Sequence, residues 1–171
     1  MRLGIALFLS AISLHAAGEL SNRRAPGFSL PGSDSQQHDT QDYRGKVLLI
    51  ETMQTGCEHC RKLSVVLEEA AAKYGGKVAI LSIVTMPDTM QKVKQYIDRN
   101  NITTPILFDC GQVMASYLKI TPANPTVHFP HVFLIDPDGA IRNDFGYEAA
   151  TEQMFESKTL FGEIEKLLKT R

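Results

Sequence analysis

The chain has 171 residues, is 43% hydrophobic, and carries 18 basic against 19 acidic side chains, for a formal net charge of −1. That supplies enough apolar material for one domain with a sizeable core. Near-neutrality, with no basic run and no series of stacking aromatics, excludes a dedicated nucleic-acid binder.

At the N-terminus, Arg2 precedes an uncharged apolar run, Leu3 to Leu14, and the small residues Ala16-Ala17-Gly18. This pattern predicts a signal peptide over residues 1–18, cleaved before Glu19, and one domain over 19–171. The run is short for a bilayer span, so no stable span is expected after cleavage. The expected location is periplasmic or secreted, with anchoring by an uncleaved signal as the alternative. Export would place the chain where disulfides persist. Its three cysteines, Cys57, Cys60 and Cys110, are too few for a stapled scaffold and fit one close pair plus a bystander.

Glu19 to Pro31 is a polar lead-in with a short apolar piece at Phe28-Ser29-Leu30, and Gly32 to Thr40 reads as a hairpin tip or loop. Val47-Leu48-Leu49-Ile50 is the continuous apolar run of a strand buried on both faces. A helical face follows at Leu63, Val66, Leu67, Ala70 and Ala71, stopped by Tyr74-Gly75-Gly76. Val78 to Val84 is a second buried strand, and Pro87 suits the first turn of a helix running to about Arg99. Ile106-Leu107-Phe108 is a short strand, Gly111 to Leu118 a short helix, and Thr121 to Phe129 an irregular connection. Val132 to Ile135 and Ala140 to Phe145 form a hairpin around the turn Asp136-Pro137-Asp138-Gly139, and Thr151 to Lys169 reads as one C-terminal helix. Strands alternating with helices and ending in a hairpin predict an α/β fold, a central mixed β-sheet flanked by helices.

Between the first core strand and the first helix lies Cys57-Glu58-His59-Cys60. At a helix N-terminus the first sulfur meets free N–H groups and the positive end of the helix dipole, which favour thiolate, the nucleophile of disulfide exchange. Half a structural zinc site and a static disulfide are the other readings of such a pair. Glu58 and His59 pull the potential in opposite directions, which leaves the direction of electron flow open.

Ala25-Pro26-Gly27-Phe28-Ser29-Leu30, Asp42-Tyr43-Arg44-Gly45-Lys46-Val47-Leu48-Leu49, the CxxC, and Phe129-Pro130-His131-Val132-Phe133-Leu134-Ile135-Asp136 followed by Asp138-Gly139 together resemble the thioredoxin-like redoxins of the TlpA/ResA and AhpC/TSA superfamily. The resemblance implies a thioredoxin fold with an N-terminal β extension and an exported thiol-disulfide oxidoreductase. Its partners would be protein thiols and disulfides and a thiol-disulfide electron donor. No cofactor is implied beyond the redox-active Cys57–Cys60 disulfide. Cys57 matches the nucleophile and Cys60 the resolving cysteine. Pro130 matches the proline that is cis in the family, with Phe129 beside it to hold substrate. Glu51, six residues before Cys57, matches a buried carboxylate that serves Cys60 as proton acceptor.

The chain departs from the family pattern before the motif, where Met53-Gln54-Thr55-Gly56 replaces the usual aromatics and no tryptophan exists. Leu63 stands where related proteins carry a glutamate, and the longer 121–129 connection adds His128 near the motif. Two rival activities remain. A thiol peroxidase of the AhpC/TSA type would want threonine or serine three residues before the cysteine, where Gln54 stands. A Cu(I) or Zn site would draw on Cys57, Cys60 and one of His59, His128 or His131. Cys110 reads as a buried small residue or a third redox cysteine, and His15 and His38 have no chemistry assigned.

Overall fold

The computed structural model describes residues 18–169. All but the last residue of the expected signal peptide therefore lies outside the described residues. In chain order the elements are β1 (Arg23–Arg24), β2 (Ser29–Pro31), β3 (Gln37–Asp39), β4 (Val47–Thr52), α1 (Glu58–Tyr74), β5 (Val78–Val84), α2 (Met90–Asn100), β6 (Ile106–Phe108), α3 (Gln112–Leu118), β7 (His131–Ile135), β8 (Ala140–Gly146), α4 (Glu152–Glu156) and α5 (Thr159–Lys169).

Six strands form one mixed sheet in the order β1-β8-β7-β4-β5-β6. β4, β5 and β6 run parallel, whereas β7 is antiparallel to β4 and β8 to β7. β4 is central and buried along its whole length, which is why its sequence is continuous rather than alternating. Its residues still divide by face. Val47 and Leu49 pack with Leu63, Leu67 and Ala70 of α1 and with Phe155, Leu160 and Ile164 from the C-terminal helices. Leu48 and Ile50 face the other layer, with Phe28, Val113, Tyr117 and Phe133. Each fully buried aliphatic side chain contributes roughly 1.5–3 kcal/mol.

The N-terminal extension takes two forms. β1 adds to the β8 edge, and the β2–β3 hairpin lies against the other edge, where Ser33 N–H donates to the Ile106 carbonyl at 2.8 Å. Both exposed edges of the sheet are thus blunted. Within the hairpin, His38 is buried between Tyr43 (2.5 Å) and Asp34 (3.0 Å), a structural tie.

α1 begins at Glu58 with Cys57 as its N-cap, so the CxxC lies at a helix N-terminus as expected, five residues before the apolar face. Two other expectations about helices need correction. Pro87 is not in the first turn of α2. The Met86–Pro87 peptide is cis, within a turn closed by Asp88 N–H on the Thr85 carbonyl, and α2 starts three residues later behind Thr89, whose side chain accepts from Lys92 N–H. The C-terminal helix is broken at Ser157. That residue is extended, and its hydroxyl donates to the Gln153 carbonyl and accepts from Thr159 N–H, closing α4 and opening α5. Cys110 is exposed rather than buried, because it follows β6 on the loop into α3.

Candidate active site

The CxxC sits at the carboxyl end of the parallel strands, the edge where ligands bind in open α/β sheets. Cys57 has extended backbone (φ −88°, ψ 118°), and its sulfur accepts from Cys60 N–H at 3.1 Å, the bond that a serine or aspartate cap would accept with oxygen. The loop before it is fixed from outside. Thr55 gives both its N–H (2.8 Å) and its hydroxyl (2.5 Å) to the Asp88 carboxylate. Cys57 and Cys60 form a disulfide.

The two sulfurs are placed unequally. Cys57 is half-buried, whereas Cys60 is fully buried and packs with Met53, Val84, Val93, Tyr96 and Ile106. Beneath it, Ser64 donates to the Cys60 carbonyl (3.0 Å) and pairs with the Tyr96 hydroxyl (2.7 Å). Burial raises the Tyr96 phenol to about 12, so this pair stays neutral.

Pro130 is buried, and the Phe129–Pro130 peptide is cis. The Phe129 carbonyl oxygen lies 3.9 Å from Cys57 Sγ, and the Phe129 ring packs into the Cys60 cluster. Cys57, Cys60, Phe129 and Pro130 therefore lie together. His128 does not join them. It lines a separate cleft with His131, Asp144 and Tyr147. In that cleft His131 Nε2 is 3.0 Å from Asp144. Burial alone would raise the Asp144 carboxyl, but hydrogen bonds from His131, Ser21 and Leu20 outweigh it and hold the group below its usual range.

Glu51 ends the β4 row that faces α1 and has no exposure. Ser82 on the neighbouring strand donates to Oε2 at 2.7 Å, and Oε1 has no hydrogen-bond partner. Desolvation pushes the carboxyl up to about 8, and the Ser82 hydrogen bond offsets only part of the rise. A carboxyl so poised exchanges protons with a thiol of ordinary pKa near 8.5 at little cost.

The two residues inside the motif are both held by neighbours. Glu58 is paired with Arg61 at 2.5 Å. The His59 ring stacks on Tyr147, with centroids 3.9 Å apart, and its Nδ1 faces Glu156 at 3.5 Å, a carboxylate also taken by Lys62 at 2.8 Å. Tyr147 has a second task, since its N–H donates to the Pro130 carbonyl at 3.0 Å. One residue thus joins the CxxC helix to the proline loop.

Tyr147, Asp88, Ser64 and Tyr96 escaped the sequence reading. Asp88 carried the best signal, an acidic residue on the loop after the neighbouring parallel strand. Tyr147 carried none. Tyr147→Ala frees His59 to approach Cys57, so the couple should become more oxidising by about 30 mV, the equivalent of one pKa unit at the thiolate. Redox titration of Tyr147→Ala, His59→Ala and the double variant checks this. An equal shift in the His59→Ala background would refute the clamp.

The AhpC/TSA family profile matches residues 21–144. The chain belongs to the AhpC/TSA family. Among curated relatives, the thioredoxin-like protein YneN of Bacillus subtilis is 25% identical over 143 residues, covering 82% of this chain and 79% of the relative. The thiol-disulfide oxidoreductase ResA of Bacillus thuringiensis subsp. konkukian is 24% identical over 134 residues, 78% and 74% of the two chains. Among solved structures, the thioredoxin domain of a thiol-disulfide oxidoreductase from Bacteroides vulgatus superposes with a TM-score of 0.66 at 19% identity, covering 84% of this chain and 97% of that one. This AhpC/TSA member thus has the thioredoxin fold. No group of three His, Cys, Asp or Glu side chains able to hold a metal ion occurs among the described residues.

Proposed function

We propose that the protein is a thiol-disulfide oxidoreductase acting on protein substrates. The observation that carries this is the asymmetric disulfide, a half-exposed Cys57 capping α1 beside Pro130 over a fully buried Cys60. In the reduced protein, the Cys57 thiolate attacks a substrate disulfide, a mixed disulfide forms, and one substrate sulfur leaves as thiolate. Cys60 gives its proton to the Glu51 carboxylate and attacks Cys57 Sγ. The second substrate thiolate leaves, and the Cys57–Cys60 disulfide re-forms. Two electrons have passed to the substrate, and no bound cofactor is needed. Substrate main chain lying along Phe129 and Pro130 would bring its sulfur to Cys57. A separate thiol-disulfide donor returns the electrons.

The proposed site of action is outside the cytoplasm, periplasmic or secreted, supported by the apolar run Leu3 to Leu14 and the small residues after it. Among the described residues no helix is long and apolar enough to cross a membrane.

The test is to mix the reduced protein with a disulfide-containing model protein and count thiols on both by alkylation and mass spectrometry. Transfer of two thiols per Cys57–Cys60 pair is expected. Absence of transfer, with rapid consumption of hydrogen peroxide instead, would replace this reading with the peroxidase one.

A further inference from the structure

A groove of about 430 Å³ opens directly beside Cys57, between the active-site loop and α2. Gly56 and Cys57 form one wall, and a Cβ at Gly56 would meet nothing within 4 Å, so the space above the loop is open. Tyr96 lies at the base, and the far wall is one face of α2, where Lys92, Gln95 and Arg99 recur at helical spacing.

The charges in the groove are unevenly satisfied. Its carboxylates are engaged, Glu58 by the Arg61 guanidinium and Asp88 by hydrogen bonds from the uncharged Thr55, which leave the Asp88 charge in place. Its cations on α2 are not. The Lys92 ammonium reaches only the Pro87 carbonyl, at 3.3 Å, and the Arg99 side chain has no hydrogen bond or ion pair with any described residue. Both side chains are exposed. The groove opens at Cys57, so the residues flanking a substrate sulfur bonded there lie next to the wall that carries Lys92 and Arg99, and with Glu58 paired to Arg61 and one negative charge on Asp88 the groove keeps a net positive charge.

We propose that the groove selects substrates by charge, with Lys92 and Arg99 binding carboxylates that flank the reacting cysteine of an acidic protein segment. The inference rests on the redox reading above and names its substrate class. The gain falls on encounter and on positioning of the mixed disulfide, and is screened by salt.

The experiment uses the reduced protein and three synthetic peptide disulfides whose cysteines are flanked by Glu, Gln or Lys. Each rate constant is divided by that of dithiothreitol with the same peptide, which removes the effect of the flanking charges on intrinsic sulfur reactivity. At low salt the Glu peptide should exceed the Gln peptide by about tenfold, each exposed ion pair being worth up to about fivefold. In Lys92→Ala/Arg99→Ala the Glu-to-Gln ratio should fall to about one, and the ratio should also collapse in 0.5 M salt, roughly a 4 Å screening length. Arg99→Lys should retain most of the preference. Lys94→Ala, which removes a cation paired with Asp98 at 3.2 Å outside this groove, should keep it in full. Exchange with all three peptides at equal normalised rates, or a preference that survives the double variant, would overturn the inference and leave the redox function standing. No exchange with any peptide would sink the redox reading and this inference with it.

Discussion

Cys57→Ser should lose disulfide exchange by at least about 10³-fold, as expected when a nucleophile is removed. Cys60→Ser should keep the first step and stall, leaving the substrate covalently attached through Cys57. The asymmetry follows from placement. Cys57 Sγ is the half-exposed sulfur, held at the cap by Cys60 N–H and 3.9 Å from the Phe129 carbonyl oxygen. Cys60 is enclosed by Met53, Val84 and Tyr96 and has no exposed surface. Non-reducing gel electrophoresis after mixing each reduced variant with a disulfide protein checks this. A stable adduct on Cys57→Ser, or full turnover by either variant, would reverse the assignment.

Glu51→Gln should change both stability and rate, in opposite senses. A carboxyl that ionises near 4.5 in the unfolded chain and near 8 in the folded one binds more protons when folded across that interval. Its contribution is fully present below pH 4.5 and is lost as pH rises through 8, amounting to about 5 kcal/mol over the whole range. The wild-type protein should therefore lose stability from pH 5 to pH 9 by several kcal/mol more than Glu51→Gln, as read from denaturant midpoints at each pH. The same variant removes the carboxyl proposed as the proton acceptor of Cys60. Resolution of the mixed disulfide should slow by about 10²-fold, and the inflection near pH 8 in its rate profile should vanish. Parallel pH dependence of stability in the two proteins would mean that Glu51 is not ionising in the core.

The chemistry was largely legible because it is local. The run Val47 to Ile50, the CxxC after it and Pro130 before Val132 are each short patterns, and the sheet brings their ends to one edge. What escaped is contact between distant segments. Asp88 clamps Thr55 across 33 residues, and Tyr147 reaches both His59 and Pro130. The helix limits failed for a related reason. Pro87 reads as a helix start, yet Thr89 provides the cap, and Ser157 lies within an apolar periodicity that continues past the break it makes. The tension inside the motif also eased in three dimensions, since Arg61 answers Glu58 while Tyr147 and Glu156 hold His59.

The most direct test of exchange activity is the reduction potential of the Cys57–Cys60 couple, read by mass spectrometry of alkylated protein equilibrated in thiol-disulfide buffers. A reversible two-electron couple between about −270 and −120 mV is predicted, the lower end marking a reductant and the upper an oxidant. A value below about −300 mV, where structural disulfides lie, would contradict the account.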